Sequence, residues 1–166
     1  LGQATHFELF TACAFLHFAD QAVDIAVVET GLGGRHDATN VLQPTVSAIT
    51  AIQLEHTEFL GSSLEEIARH KGGIIKPGAP AVSVPQPSSV ATVLKECAAQ
   101  AGTTIEFLNQ EIDFSYRFQS TRELGAHARV VLTTPRSNFE HLPVPLKGEH
   151  QAINCGLALA ILDALR

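Results

Sequence analysis

The sequence predicts an α/β fold: a parallel, doubly wound sheet with helices on both faces and a small antiparallel β extension. Two observations carry this prediction. Short apolar runs typical of buried strands alternate with segments of helical periodicity up to about residue 102. From 103 to 146, β-type segments follow one another without a helix between them. With 45% hydrophobic residues, the 166-residue chain can bury one core, so a single domain over 1–166 is expected.

The first helix and the first two strands are predicted from the spacing of apolar residues. A helix is expected over 3–19, where apolar side chains recur every three or four residues and Thr5 with Glu8 matches a capping box. Apolar runs at 23–29 and 46–52 are typical of buried strands. Two strands joined by a long glycine-containing loop are therefore expected after the first helix.

The next elements are defined by the residues at their ends. A helix is expected over 63–75, with Ser62 or Ser63 as its cap and Pro77 beyond its end. A short strand over 80–84 follows it. This order of strand, helix and strand is the pattern of a parallel sheet.

The last part of the chain is predicted to be rich in β-structure until a final helix. A helix over 87–101 should stop at Gly102, and 103–146 is expected to form an antiparallel or mixed extension at the edge of the sheet. An apolar stripe predicts the closing helix over 152–165. The β-segments expected within the extension are 104–108, 114–119 and 129–134.

Charge and apolar patterning exclude two classes of partner. The formal net charge is −6 at pH 7 and the lysines and arginines are not clustered, which argues against a nucleic-acid-binding face. The most apolar early run, 9–19, is broken by His17 and is too short to span a bilayer, so no membrane partner is expected.

The cysteines indicate neither a zinc site nor a disulfide framework. Cys13, Cys97 and Cys155 are isolated in the sequence, without a C-x-x-C pair. A reducing cytoplasm fits this usage. The chain begins at Leu1 without a methionine and ends in an apolar helical pattern, so we expect it to be an excised piece of a longer protein.

The segment at 28–40 is the most informative for chemistry. Glu29 lies at the C-terminal end of a predicted buried strand, at the edge where open α/β sheets bind ligands. Gly31, Gly33 and Gly34 then allow backbone N–H groups to approach an anion closely. A simple tight turn with a solvated glutamate is the alternative interpretation.

Four segments together resemble the folylpolyglutamate synthase and dihydrofolate synthase family, the folate branch of the Mur-type ATP-dependent ligases. Their order and spacing match this family along nearly the whole chain. The segments are Thr-His-Phe-Glu at 5–8 with Thr-Ala-Cys-Ala-Phe at 11–15, Glu-Thr-Gly-Leu-Gly-Gly-Arg-His-Asp-Ala-Thr-Asn at 29–40, Leu-Glu-His-Thr-Glu-Phe-Leu-Gly at 54–61 with Lys-Gly-Gly-Ile-Ile-Lys-Pro-Gly at 71–78, and Leu-Lys-Gly-Glu-His-Gln at 146–151 with Asn154.

The resemblance implies an ATP-dependent ligase that joins L-glutamate to a folate or dihydropteroate carboxylate through an acyl phosphate. It implies ATP and Mg²⁺ as cofactors, with Glu29, His56 and Lys71 as metal ligands and catalytic residues, and with Lys71 carrying a carbamate. Without the resemblance, His56 is an ordinary hydrogen-bonded histidine and Lys71 is a solvated charge. Gly72 and Gly73 beside Lys71 are expected to leave room for a ligand or a metal.

Two further groups of residues are candidates for nucleotide binding. The glycine loop contributes Gly33, Gly34 and Arg35, for which the alternative is a surface ion pair between Arg35 and Asp37. At the start of the last helix, side chains could contact the adenine, with helix capping as the competing interpretation. The candidates there are His150, Gln151 and Asn154.

The resemblance also defines what this sequence lacks. The sequence contains no G-x-x-x-x-G-K-[ST] phosphate loop, so the chain is expected to be a middle fragment of the ATPase domain and to be inactive alone. The full-length protein is expected to be a monomer. A Mur-type peptidoglycan ligase and a non-catalytic nucleotide-binding module are the alternatives.

The chain departs from the usual family pattern near the predicted metal site. Gln53 and Glu55 stand where the family usually has glycine and aspartate, and His70 and Gly72 stand at a common glutamate and alanine. The additional methylene of Glu55 can shift a ligand by about 1.5 Å. Substrate preference or metal geometry is therefore expected to differ.

Overall fold

The computed structural model describes residues 2–165, which form two three-stranded sheets and five α-helices. The parallel sheet has the order β1-β2-β3, and the antiparallel sheet has the order β4-β5-β6. The strands are β1 (Ser47–Ile49), β2 (Ala81–Ser83), β3 (Ile105–Phe107), β4 (Asp113–Thr121), β5 (Gly125–Thr133) and β6 (Asn138–Val144). The helices are α1 (His6–Asp20), α2 (Thr57–Leu60), α3 (Leu64–Gly72), α4 (Ser88–Gln100) and α5 (Glu149–Ala164), with a short 3₁₀ turn at Ala38–Val41.

The parallel sheet is covered on both faces, as the sequence predicts. On one face Ile49, Ala81 and Phe107 pack in a core with α3 and α4. Val82 points to the other face, where it packs in a second core with α5 and the antiparallel sheet. Because side chains alternate along a strand, β2 contributes to both cores. The predicted doubly wound α/β architecture is confirmed.

Local sequence signals set the starts of two helices. Thr5 accepts a hydrogen bond from the backbone N–H of Glu8, whose carboxylate accepts from the backbone N–H of Thr5. Ser63 and Glu66 form the same reciprocal capping box at α3. The predicted cap of α1 and one of the two predicted caps of α3 are therefore confirmed.

The predicted strand at 23–29 is wrong. This segment is not a strand, and it pairs with no other strand among residues 2–165. Ile25 is 70% exposed and Val27 is 94% exposed. An apolar run favours a strand only where a neighbouring backbone satisfies its N–H and C=O groups, and the described residues supply none at this position.

The predicted extension over 103–146 also needs correction. β3 lies inside this range, yet it pairs in parallel with β2 and completes the parallel sheet. The antiparallel sheet therefore covers only 113–144, with β6 as a strand that the sequence analysis missed. Pro143 in β6 pairs opposite Arg129 at the sheet edge, which is where a proline is tolerated in a strand.

Side-chain contacts join the antiparallel sheet and its β5–β6 loop to α5. The hydroxyl of Tyr116 on β4 donates to Glu149 in the first turn of α5. Near the other end, the guanidinium of Arg136 contacts the buried carboxylate of Asp163 at 3.0 Å. Within residues 2–165, no helix is both long enough and apolar enough to cross a membrane.

Candidate functional site

The glycine loop is held against the end of α3. The backbone N–H of Arg35 donates to the carbonyl oxygen of His70 at 2.8 Å. Gly33 and Gly34 are buried and have φ values of 71° and 158°. A side chain at Gly34 would place Cβ 2.8 Å from the same His70 oxygen. The glycines therefore let the loop backbone approach the protein itself at this point.

Asp37 organises the rest of this loop. Its carboxylate accepts hydrogen bonds from the backbone N–H groups of Gly31 at 3.0 Å and Leu32 at 2.8 Å, and also from Thr39. Burial alone raises the pKa of Asp37, but the hydrogen bonds from Thr39, Leu32 and Gly31 outweigh it and hold the pKa below its usual value. The ion pair between Arg35 and Asp37, which was the alternative to nucleotide binding, is not among the ion pairs of residues 2–165.

Gly72 and Gly73 are close to protein atoms, which corrects the expectation that they leave room for a ligand. A Cβ at Gly72 would lie 2.8 Å from Sγ of Cys97, and a Cβ at Gly73 would lie 2.5 Å from Cβ of Arg35. The side-chain amide of Asn40 donates to the carbonyl oxygens of Arg35 and Gly73 at 3.0 and 3.2 Å. These glycines thus allow α3, α4 and the glycine loop to pack together.

Lys71 lies at the last turn of α3 and forms an ion pair with Glu55. The distance between Nζ and Oε1 is 2.8 Å, and the two side chains are 21% and 47% exposed. The hydrogen bond from Lys71 holds the pKa of Glu55 below its usual value. Lys71 also lines a cavity of about 50 Å³ together with Thr30 and Thr50. Lys71 therefore lies close to Thr30 and Thr50, which follow Glu29 and β1 in the sequence.

The other two predicted metal ligands lie on exposed loops. Glu29 is exposed immediately before Thr30, and His56 is exposed at the start of α2. His56 has a left-handed backbone with φ 49° and ψ 39°. Among residues 2–165, no three His, Cys, Asp or Glu side chains lie close enough together to hold a metal ion. The structure thus brings Lys71 and Thr30 together but does not assemble a complete metal site.

The first turns of α5 present the other predicted nucleotide-binding side chains. Gly148 is the N-cap residue, so the alternative in which His150, Gln151 or Asn154 caps this helix is wrong. Asn154 is exposed. Because residues three and four positions apart share a helix face, it lies on the same face as His150 and Gln151.

A larger cavity, which the sequence analysis missed, lies between α1, the glycine loop, α2 and α3. Its volume is about 270 Å³. The rings of His36 and His70 meet edge-on at its wall, with centroids 6.0 Å apart. The nearest sequence signal was the Thr-His-Phe-Glu segment at 5–8, which indicated a helix cap and the family resemblance but no cavity. The cavity is lined by Thr5, Phe7, Glu8, Leu32, Gly34, His36, Asp37, Ala38, Phe59, Leu60 and His70.

This arrangement matches known proteins over almost its whole length. The family model described as the Mur ligase middle domain matches residues 3–162. The dihydrofolate synthase/folylpolyglutamate synthase of Bacillus subtilis (strain 168) is 38% identical over 166 residues, which cover 99% of this chain and 37% of that protein. This chain therefore spans little more than a third of that relative's length.

Solved structures agree with these sequence matches. A complex of folylpolyglutamate synthase (FPGS) with AMPPCP and folate superposes with a TM-score of 0.89 at 31% identity, covering 98% of this chain and 39% of that one. The Mycobacterium tuberculosis FPGS structure complexed with ADP and AMPPCP has a TM-score of 0.86 at 38% identity, covering 97% of this chain and 36% of that one. The chain belongs to the Mur ligase middle-domain family, and the relatives and structures that it is similar to here are folylpolyglutamate and dihydrofolate synthases.

Proposed function

We propose that this chain is the central part of the ATP-binding domain of a ligase that attaches L-glutamate to a folate or dihydropteroate carboxylate. One observation carries the proposal. The glycine loop, Lys71 and the 270 Å³ cavity lie together on a backbone that superposes on an FPGS bound to AMPPCP and folate. The chain spans about 37% of its Bacillus subtilis relative, so the activity is proposed for the complete protein.

The nucleotide site is proposed to form around the glycine loop and α5. Gly33, Gly34 and Arg35 border the phosphates, and the exposed face of α5 contacts the adenine through Asn154 with His150 and Gln151. Amide side chains can both donate to and accept from a base edge. The sequence has no phosphate-binding loop of the G-x-x-x-x-G-K-[ST] type, so we expect no ATP hydrolysis from these 166 residues alone.

The larger cavity is proposed to hold the ring system of the acceptor. Phe7 and Phe59 supply aromatic faces, and Asp37, His36 and His70 supply polar atoms around them. A mostly apolar cleft with a few polar groups is the usual form of a small-molecule site. A bound ring there would lie beside the glycine loop, which also borders the proposed phosphate site.

Magnesium is proposed to be held by Glu29 and His56, with Lys71 beside them. The carboxylate of Glu29 fits, because Mg²⁺ is usually bound by one or two carboxylates together with water and phosphate oxygens, whereas the imidazole of His56 is included on the family resemblance alone. When bound, the ion neutralises charge on the transferring phosphoryl group. For Lys71 to be a ligand it would have to carry a carbamate, since an ammonium group has no free lone pair. In the structure its Nζ is paired with Glu55 instead.

In the proposed reaction, the acceptor carboxylate attacks the γ-phosphorus of ATP, and ADP leaves. The amine of glutamate then attacks the resulting acyl phosphate and releases inorganic phosphate. The described residues contribute position to both steps: the glycine loop borders the phosphates, and Phe7 and Phe59 line the cavity for the acceptor ring. The reacting groups are thereby held in one orientation through two transfers.

We place this ligase in the cytoplasm and expect it to act as a monomer. Cys13, Cys97 and Cys155 are free thiols in the structure, which fits a reducing compartment. Gel filtration with light scattering on the complete protein checks the oligomeric state. A mass equal to one chain supports the monomer, and a mass of two or more chains contradicts it.

Mass spectrometry of the reaction products tests the proposed function. The complete protein is incubated with ATP, Mg²⁺ and L-glutamate, and with dihydropteroate, tetrahydrofolate or a uridine-diphosphate-linked muramyl peptide as acceptor. We expect a glutamyl adduct of dihydropteroate or tetrahydrofolate. An adduct of the muramyl substrate alone would assign a peptidoglycan ligase, and no adduct with any acceptor would leave a binding role.

A further inference from the structure

Two arginines lie side by side on the face of the antiparallel sheet that is turned away from α5. On β5, Ala128 and Val130 are buried in the core that this sheet forms with α5. Because side chains alternate along a strand, Arg129 between them lies on the opposite side, which we call the outer face. The pairing of β4 with β5 places Arg117 directly opposite Arg129, so both arginines share the outer face.

Neither arginine is paired with an acidic side chain. None of the ion pairs within residues 2–165 includes Arg117 or Arg129. On the other flank of Arg129, β6 places Pro143 opposite it. Glu140 of β6 instead accepts a hydrogen bond from the side-chain amide of Asn138 at 2.7 Å. Like charges directly opposite each other on neighbouring strands destabilise a sheet, so this arrangement is unfavourable without a negative charge beside it.

The guanidinium group of Arg129 is incompletely hydrogen-bonded. Arg129 is half-buried, and its Nε atom is buried without a hydrogen-bond partner. Its Nη1 atom donates to the carbonyl oxygen of His141 at 3.4 Å, which is long for a hydrogen bond from nitrogen. A buried donor without a partner costs free energy, as does a partly buried charge without a counter-ion. A small rotation of the side chain would give up only the long contact and would turn Nε towards a ligand.

Regular strands hold the two arginines in place. Beside Arg129 on the outer face, His127 is 2% exposed, and its two ring nitrogens contact the side chain of Gln119 at 2.8 Å and the carbonyl oxygen of Gly125 at 2.9 Å. These contacts hold β4 and β5 together next to the arginines. Binding groups that are carried by strands are positioned more precisely than groups on loops.

We propose that Arg117 and Arg129 form an oxyanion-binding site on the outer face, in which the two guanidinium groups bind one phosphate or carboxylate group between them. The fork of a guanidinium group matches the oxygen atoms of either group, and the negative charge of the ligand offsets the repulsion between the arginines. The site is independent of the proposed function, because neither arginine lines the cavities beside the glycine loop and Lys71.

Isothermal titration calorimetry of the complete protein tests this site. AMPPCP and Mg²⁺ are present in excess to fill the proposed nucleotide site, and inorganic phosphate or γ-linked triglutamate is then titrated. We expect Arg117→Gln and Arg129→Gln each to weaken binding of the ligand about tenfold or more, because each removes hydrogen bonds from a charged donor. Arg122→Gln is the matched control, since Arg122 is an exposed arginine in the turn between β4 and β5, and its affinity should equal that of wild type.

The two ligands distinguish the sources of the oxyanion. Weaker binding of phosphate alone in the two variants would assign a phosphate group, and weaker binding of triglutamate alone would assign the carboxylates of a γ-glutamyl chain. Unchanged affinity for both ligands in both variants, or no binding of either ligand by wild type, would overturn the inference. If Arg129→Gln does not fold by circular dichroism, the exposed Arg117 decides through Arg117→Gln. Absence of ligase activity in wild type would refute the proposed function and leave this comparison valid.

Discussion

The backbone N–H of Arg35 donates to the carbonyl oxygen of His70 at 2.8 Å, which fixes the glycine loop to the last turn of α3. This hydrogen bond connects a proposed phosphate-binding loop to the helix that carries Lys71. It forms because Gly34 and Gly73 leave space for the two backbones to approach. The site thus depends on glycine at positions where a methyl group would collide with protein atoms.

Replacing Gly73 with alanine should disrupt this contact. Its Cβ would lie 2.5 Å from Cβ and 2.6 Å from Cα of Arg35, so the loop must move. Overpacking of this kind costs about 1–3 kcal/mol in the free energy of unfolding. The melting temperature of Gly73→Ala and its rate of ADP release should both be lower than those of wild type. Gly2→Ala is the control, since no atom lies within 4 Å of the added carbon. Equal melting temperatures and equal ADP release for the two variants would show that the close packing of Gly73 against Arg35 is not important.

Replacing Asp37 with asparagine should destabilise the protein in a pH-dependent way. The pKa of Asp37 is lowered in the folded state, because the hydrogen bonds to its carboxylate outweigh the effect of burial. The stabilisation is therefore complete above the unfolded carboxyl pKa of about 3.9 and is lost as pH falls through the folded pKa. We expect the free energy of unfolding of Asp37→Asn to be about 1–2 kcal/mol lower than that of wild type near pH 7, and this difference should shrink below pH 4.

Urea unfolding of wild type and Asp37→Asn at several pH values between about 3 and 7 measures this difference. Asp24→Asn is a suitable control, because Asp24 is an exposed aspartate in the 23–29 segment. A deficit that stays constant as the pH falls would show that the charge of Asp37 is not the cause.

Replacing Phe7 with alanine should weaken acceptor binding selectively. Phe7 lines the large cavity, and an aromatic contact is worth about 0.5–1.5 kcal/mol, which corresponds to about a twofold to twelvefold rise in KM for the acceptor. The KM for ATP should not change. Phe10→Ala is the matched control on the same helix, because Phe10 packs on His6 and does not line the cavity. Equal effects of the two substitutions would argue against an acceptor site in this cavity.

Replacing Arg136 with glutamine should destabilise the junction between the antiparallel sheet and α5. Asp163 is 2% exposed, so loss of the 3.0 Å contact leaves a buried carboxylate with fewer donors. Since Arg136 is itself 54% exposed, we expect Arg136→Gln to lower the free energy of unfolding by only about 1–2 kcal/mol. Lys95→Gln removes an exposed ion pair and should cost about 0.5 kcal/mol. Chemical denaturation measures the free energy of unfolding of both variants. An equal loss in Arg136→Gln and Lys95→Gln would contradict the conclusion that the burial of Asp163 makes its ion pair more important.

Local signals in the sequence were sufficient for the caps of α1 and α3 and for the fold class. The capping boxes at Thr5 and Ser63 involve residues three positions apart, so the sequence contains all the information that they need. The alternation of strands and helices likewise predicted the parallel sheet.

Features that depend on distant partners were not predictable. The segment 23–29 has the composition of a strand, but strand formation requires a neighbour that periodicity does not identify. β3 was grouped with the extension for the same reason, because its partner β2 is separated from it in the sequence by α4. The Lys71–Glu55 pair joins residues 16 positions apart, and the departure from the family pattern at Glu55 was its sole sequence signal.

The three proposed metal residues provide a separate prediction. Glu29→Ala, His56→Ala and Lys71→Ala in the complete protein should each reduce turnover at least a hundredfold, since mutation of groups that neutralise phosphoryl charge costs about 10²–10³ in rate. All three lie at or near the surface, so the melting temperature should change little. Near-normal activity in all three folded variants would contradict the metal assignment.

ADP release by the complete protein tests the central claim most directly. The assay contains ATP, Mg²⁺ and L-glutamate, and compares dihydropteroate, tetrahydrofolate and no acceptor. We expect ADP release only when dihydropteroate or tetrahydrofolate is present, and the compound that supports release is the acceptor. The absence of acceptor-dependent release with either compound would contradict the proposal that this chain belongs to a folate-directed glutamate ligase.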